Sequence, residues 1–280
     1  MKKSLIFAFA AVAVLAGCSN GGQKISTVAD YQAYLDGFNS EFQQGLVAIQ
    51  SDTTLTEDQK NENANSFYES KLDELTKTGI GIIKAHPSDS LALVVYQDIS
   101  GFLEDDQNAE VLKLFKGAIA ESDFVVNQKA VLEAVEKTKE GNPFVDFTVV
   151  QDSTDVEGST VRFSDYIGKG KFVLVDFWAS WCGPCKREIP NIKAVYDEFA
   201  GDKFDVLSVA VWDEPADTKA AAVEHNVVWN QIINAQRIPT DLYGIKGIPQ
   251  IMLFSPDGTI LKRDLRGEAI REAVAAALAD

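Results

Sequence analysis

The chain has 280 residues, 46% hydrophobic and 24% charged, which is an ordinary globular balance and enough length for roughly two domains. Its 42 acidic residues outnumber 26 basic ones for a net charge of −16, so nucleic acid and anionic lipid headgroups are poor partners for its surface. Three cysteines are too few for a disulfide-stapled framework, and a chain of this size can bury a core without one.

The first residues, "MKKSLIFAFAAVAVLAGCSN", place a basic Lys2-Lys3 head before an apolar run from Ser4 to Gly17. That run is short of the roughly 20 residues a spanning helix needs, so residues 1–17 are expected to be a removable export signal rather than part of a fold. Leu15-Ala16-Gly17-Cys18 resembles the bacterial lipobox, in which the cysteine is acylated and becomes the mature N-terminus. On that reading Cys18 is the lipidation site, residues 18–25 are a tether, and acyl chains contributing about 0.8 kcal/mol per buried methylene hold the protein at a membrane. Ser19 after the cysteine resembles outer-membrane sorting, so the outer membrane is favoured over the inner, with the folded domains in the periplasm.

Residues 26–140 read as an all-helical domain of about five helices. Tyr31, Leu35, Phe38, Phe42, Leu46 and Ile49 recur on one helical face, and Thr56-Glu57-Asp58-Gln59 has capping-box spacing for a second helix. Further helices fit 88–104, 107–121 and 124–139, separated by "HPSD", "EDDQ" and "ESD". No repeat period argues for a solenoid, and nothing in this domain points to a particular chemistry.

Gly141-Asn142-Pro143 stops the last helix, and residues 141–280 change class. "FVDFTVV" and "STVRFSDY" suggest a hairpin. "KFVLVDFWA" and "FDVLSVAVW" are near-continuous apolar runs that fit strands buried on both faces, each followed by a helical segment. "PQIMLFS" and "TILKRDL" flank the turn Ser255-Pro256-Asp257-Gly258, and a helix from about Glu268 closes the chain.

Once Cys18 is assigned to lipid, Cys182 and Cys185 remain, separated by Gly183 and Pro184. A structural zinc would need about four ligands, and the only other candidates are His86, in the helical domain, and His225, so no metal is expected. A disulfide closing so small a loop removes little unfolded-state entropy. Redox cycling is what remains. It needs a thiolate, and Cys182 lies between a strand and a helix that Pro184 is suited to open, where orphan amides and the helix dipole favour an anion. Cys185, one turn in, would be the resolving thiol.

Asp176-Phe177-Trp178-Ala179 and Trp181-Cys182-Gly183-Pro184-Cys185-Lys186, with Pro190 in the same helix, resemble the thioredoxin superfamily over about residues 141–280. The resemblance implies an α/β thioredoxin-like fold, a central mixed sheet flanked by helices, and a cis-proline facing the cysteines, for which Pro249 is preferred over Pro239. Within the superfamily, the lipobox, the hairpin and a longer segment at 213–240 look like the membrane-anchored TlpA/ResA type. That type implies a protein disulfide reductase acting on disulfide-containing protein substrates. A reductant in an oxidising compartment needs electrons delivered across the inner membrane, so a membrane thiol donor is expected as partner, and no cofactor is expected. Trp181, Gly183, Pro184, Ile248 and Pro249 would form the substrate-binding surface. Glu188 stands where that subgroup is proposed to handle protons, and Asp176 where cytosolic thioredoxins place a buried aspartate; which of the two serves Cys185 stays open. A thiol peroxidase of the AhpC/TSA type is an alternative, although Val175 and Ala179 occupy the positions of its Pro and Thr. A partner-binding lipoprotein with an incidental redox pair is another.

Overall fold

The computed structural model describes residues 25–279. Cys18 and the residues read as an export signal lie outside that range. Two compact units divide between Ser122 and Asp123.

The first unit is helical. The helices α1 (Val28–Ser51) and α2 (Glu57–Ala85) each begin with a capping box, Thr27 with Asp30 and Thr56 with Gln59. In each, a hydroxyl accepts one orphan amide while the third residue's side chain takes the cap's own N–H. Asp89 caps the short α3 (Ser90–Ile99), whose Leu91, Ala92, Val95, Tyr96 and Ile99 are buried. Gly79 lets α2 approach this helix, since a Cβ there would stand 2.8 Å from the Ile99 side chain. Tyr96 donates to Asn108 Oδ1, and Asn108 donates to the carbonyls of Ser100 and Leu103, each at 3.0 Å, so this polar group in the core is satisfied.

The single helix expected over 107–121 is divided into α4 (Asp105–Leu112) and the one-turn α5 (Gly117–Ala120). Gly117 has φ +58°, and the Lys116 N–H turns away to the Pro87 carbonyl, so the helical ladder cannot continue through it. The next helix, α6 (Asp123–Lys137), falls in the second unit, whereas the sequence reading places it in the helical domain that ends at 140. Its end is tied down there: Arg263 donates to the carbonyl and hydroxyl of Thr138 and to the Tyr243 carbonyl. The glycine and proline that change the sequence pattern lie beyond this helix and do not mark where its packing belongs.

The second unit holds an antiparallel pair, β1 (Thr148–Val150) and β2 (Thr160–Arg162), and a five-stranded mixed sheet. The sheet is built from β3 (Phe172–Trp178), β4 (Phe204–Ala210), β5 (Asn230–Ile232), β6 (Gln250–Phe254) and β7 (Ile260–Lys262), ordered β5-β4-β3-β6-β7. The first three run parallel, and β6 is antiparallel to both β3 and β7. Between them lie α7 (Gly183–Phe199), α8 (Pro215–Glu224) and α9 (Ile238–Tyr243), and α10 (Glu268–Ala279) closes the chain. This is a thioredoxin-like arrangement: a central mixed sheet flanked by helices.

The two-residue period of β3 divides the core. Leu174 and Trp178 join Ile189, Ile192, Val195, Ile270 and Val274 on the face covered by α7 and α10. Val173, Val175 and Phe177 join Phe147, Phe163 and Tyr243 on the other face. Each large side chain fully buried this way contributes about 1.5–3 kcal/mol. One residue breaks the apolar pattern of β3: Asp176, which shares the α7 face and is 1% exposed. The segment over 213–240 supplies α8 and the edge strand β5, and Pro239 opens α9. The apolar residues of "VVWNQII" come in blocks and do not alternate, so β5 escapes the sequence reading; its backbone pairing with β4 supplies what its side chains do not signal.

Candidate active site

The redox pair sits at the carboxyl end of the central strand, where β3 runs into α7. Cys182 is the N-cap of that helix, with extended backbone at φ −79° and ψ 98°, and its Sγ accepts the Cys185 N–H at 3.1 Å. Sulfur therefore takes the place a serine or aspartate oxygen occupies at most helix starts. Pro184 lies in the first turn, where its missing N–H costs nothing. The two cysteines are joined as a disulfide. Cys185 is fully buried and Cys182 nearly so, while Trp181 beside them is 59% exposed.

The loop ahead of Cys182 is held from the end of β4. Asp213 accepts the Ser180 N–H at 2.7 Å and the Ser180 hydroxyl at 2.8 Å, and also the Thr218 hydroxyl at 2.8 Å. The Trp181 indole donates to the Trp212 carbonyl at 2.9 Å, and Trp212 itself adopts φ +55°. Asp213 is missing from the sequence reading; its only local signal is an acid shortly before the proline that opens α8.

Across from this loop the Ile248–Pro249 peptide is cis, and the next residue, Gln250, opens β6 in register with Phe177. Pro249 is buried and Ile248 half-buried, packed against both core clusters. The sheet register thus brings Ile248 and Pro249 to the same end as Trp181, Cys182, Gly183 and Pro184. The Arg266 guanidinium donates to the Pro249 carbonyl, a contact the sequence alone does not signal.

Both candidate carboxylates lie on the Cys185 side. Burial in β3 pushes the Asp176 carboxyl up to about 7, against the pull of the nearby Arg266 charge and with a smaller push from Glu188. Asp176 Oδ1 meets no hydrogen-bond donor among the described residues. Glu188, one turn beyond Cys185 on α7, is engaged: its Oε2 accepts from Asn191 Nδ2 at 2.9 Å and from the Gly267 N–H at 3.0 Å. Among the described residues no group of three or more His, Cys, Asp or Glu is disposed to hold a metal ion.

Chemically, a sulfur capping a helix and a second sulfur one turn inside it can exchange a disulfide for two thiols. Comparison with known proteins agrees. Residues 141–263 match the AhpC/TSA family. The thiol-disulfide oxidoreductase ResA of Bacillus subtilis (strain 168) is 27% identical over 133 residues, 48% of this chain and 71% of that protein. ResA of Oceanobacillus iheyensis is 31% identical over 120 residues, 43% of this chain and 62% of its own length. Among solved structures, the thioredoxin domain of a thiol-disulfide oxidoreductase from Bacteroides vulgatus is 31% identical with a TM-score of 0.43, covering 49% of this chain and 96% of that one. Residues 141–263 thus match the AhpC/TSA family and fold as a thioredoxin-like domain, and the protein is a thiol-disulfide oxidoreductase similar to ResA.

Proposed function

We propose that the protein is a periplasm-facing lipoprotein that reduces protein disulfides with its Cys182-Gly183-Pro184-Cys185 pair. The observation that carries the reading is the capping of α7 by Cys182 Sγ, which accepts an amide at 3.1 Å and would hold a thiolate at the positive end of the helix. In the reduced protein, Cys182 thiolate attacks one sulfur of a substrate disulfide, and the other substrate sulfur leaves as thiolate. The Cys185 sulfur then attacks Cys182 Sγ, releasing the second substrate thiolate and closing the Cys182–Cys185 bond. Two electrons pass from the protein to the substrate, and the two thiolates take up two protons.

Asp176 is the better candidate to take the Cys185 proton, because burial raises its carboxyl to about 7 and its Oδ1 meets no donor among the described residues, while Glu188 is tied through Oε2 to Asn191 and Gly267. Trp181, Gly183, Pro184, Ile248 and Pro249 form the surface that meets the substrate. The peroxidase reading has less support: Val175 and Ala179, both fully buried, stand where that chemistry needs Pro and Thr.

A lipid on Cys18 would anchor the chain, with the outer membrane favoured, and a membrane-embedded thiol donor would return the electrons. Insulin reduction by the protein with dithiothreitol, compared with Cys182→Ser, tests the activity; equal rates would reject it in favour of a partner-binding role. A Cys185→Ser variant expressed in cells should accumulate mixed disulfides with its substrates. Cys18→Ala should release the protein from membranes with its reductase activity intact, and a wild-type protein with an unmodified Cys18 thiol would reject the anchor.

A further inference from the structure

The strap between β7 and α10, residues 265–267, touches three separate parts of the site. The Leu265 N–H donates to the Ile251 carbonyl at 3.1 Å, just past the cis peptide. The Gly267 N–H donates to Glu188 Oε2 at 3.0 Å, on the helix that carries Cys185. Between them the half-buried Arg266 donates to its neighbour's carbonyl at Leu265, 2.6 Å away, and to the carbonyl of Pro249.

We propose that Arg266 is a positioning residue for thiol–disulfide exchange: its planar fork fixes the Pro249 carbonyl beside the redox pair, while its fixed positive charge serves as counter-ion to the Asp176 carboxylate on the Cys185 side.

Both tasks follow from guanidinium chemistry. A fork of rigid donors can hold two carbonyls at once, and its charge persists at every pH at which the protein is folded. Asp176 needs such a counter-ion, since a carboxylate buried in a strand is otherwise held neutral and accepts no proton. The charged or titratable groups that face it are Arg266 from the strap and Glu188 from α7, beside the Cys182–Cys185 pair. Its register neighbours in the sheet, Ser208 on β4 and Ile251 on β6, carry no charge. Arg266 thus supplies the attraction that opposes both burial and Glu188.

The step it serves is resolution of the mixed disulfide. The Cys185 S–H proton passes to the Asp176 carboxylate, and the Cys185 sulfur attacks Cys182 Sγ. The Cys182–substrate S–S bond breaks, and its electron pair leaves on the substrate sulfur as thiolate. The inference rests on the roles given above to Cys182, Cys185 and Asp176, and it is indifferent to the direction of electron flow in the cell.

The test uses the reduced protein and oxidised glutathione in stopped flow from pH 5 to 9. The second-order rate at low glutathione reports attack by Cys182, and the saturating first-order rate reports resolution by Cys185. Arg266→Met should move the pH midpoint of the saturating rate upward by about one unit, lowering that rate about fivefold at pH 7 and about tenfold at pH 5. Arg266→Lys should keep the midpoint, because the charge remains, and slow the attack step, because the fork is lost. A folded Arg266→Met protein with the wild-type midpoint would overturn the proposal. Should that variant not fold, a displaced midpoint in Arg266→Lys would overturn it equally. A wild-type protein with no saturable second step would instead reject the assigned cysteine roles, a failure distinguishable from that of Arg266 alone.

Discussion

Asp213 accepts both the backbone N–H and the hydroxyl of Ser180, at 2.7 and 2.8 Å, two residues ahead of the attacking cysteine. The carboxylate is only 6% exposed, so these are charge-assisted bonds in a place water hardly reaches. It also takes the Thr218 hydroxyl and the Glu214 N–H, which joins the Cys182 loop to the start of α8. Asp213→Ala would leave those donors unpaired and should destabilise the domain by about 3 kcal/mol in urea unfolding. Attack on a small disulfide should slow with it, because the loop no longer presents Cys182 in one geometry. A loss below about 0.5 kcal/mol would mean that solvent replaces the carboxylate without cost.

Asp176 should make stability depend on pH in the sense opposite to a salt-bridged acid. Its folded value, about 7, lies above the ordinary 3.8. Below 3.8 the carboxyl is protonated in both states and costs nothing. As pH rises from there the unfolded chain ionises first, so stability falls until the native carboxyl ionises near 7 and is then level. The full difference is on the order of 4 kcal/mol. Asp176→Asn does not titrate, so its stability relative to wild type should grow between pH 5 and pH 8 and then stop growing. Urea unfolding of the oxidised proteins across this range checks it; a pH-independent difference would remove burial as the cause.

How far the site was legible depends on whether a residue works through local sequence or through the fold. Cys182, Pro184 and Cys185 announce themselves because a helix start is a local event, and the strand-to-helix transition is written in the apolar run before them. Asp176 is legible because an acid inside "FVLVDFW" violates the burial pattern around it. Pro249 is legible only through the thioredoxin resemblance, which places a cis-proline directly ahead of a strand, and the similar Pro239 proves to open α9. Arg266 and Asp213 give no such signal: each is an ordinary polar residue in a loop, and its role exists only because the sheet order brings distant segments together. The same limit explains α6, whose periodicity identifies a helix but not the unit against which it packs, and β5, a three-residue edge strand defined by its partner.

Cys182 should be the thiol that iodoacetamide modifies first in the reduced protein. Its sulfur sits at the helix start with an amide pointing at it and keeps a 3% exposure beside exposed Trp181, whereas Cys185 has none one turn inside. Mass spectrometry after partial alkylation at neutral pH identifies the modified residue. Faster modification of Cys185 would reverse the roles assigned to the pair.

The residues between the cysteines should set the direction of electron flow. Gly183 opens α7, and a Cβ placed on it would meet only Arg187 Nη1, at 3.9 Å, so a larger side chain fits there without disturbing the helix. With glycine in place no charge at that position favours the Cys182 thiolate, and the wild-type potential should lie nearer the roughly −270 mV of thioredoxin than the roughly −120 mV of DsbA. Gly183→His introduces a ring that, when protonated, stabilises the thiolate and hence the dithiol form over the disulfide. The potential should therefore rise by tens of millivolts, each 30 mV corresponding to about 1.4 kcal/mol for this two-electron couple. Equilibration of both proteins against glutathione buffers measures it. A wild-type potential above about −150 mV would make the protein an oxidant, and an unchanged or lower potential in Gly183→His would remove the charge between the cysteines as the controlling factor.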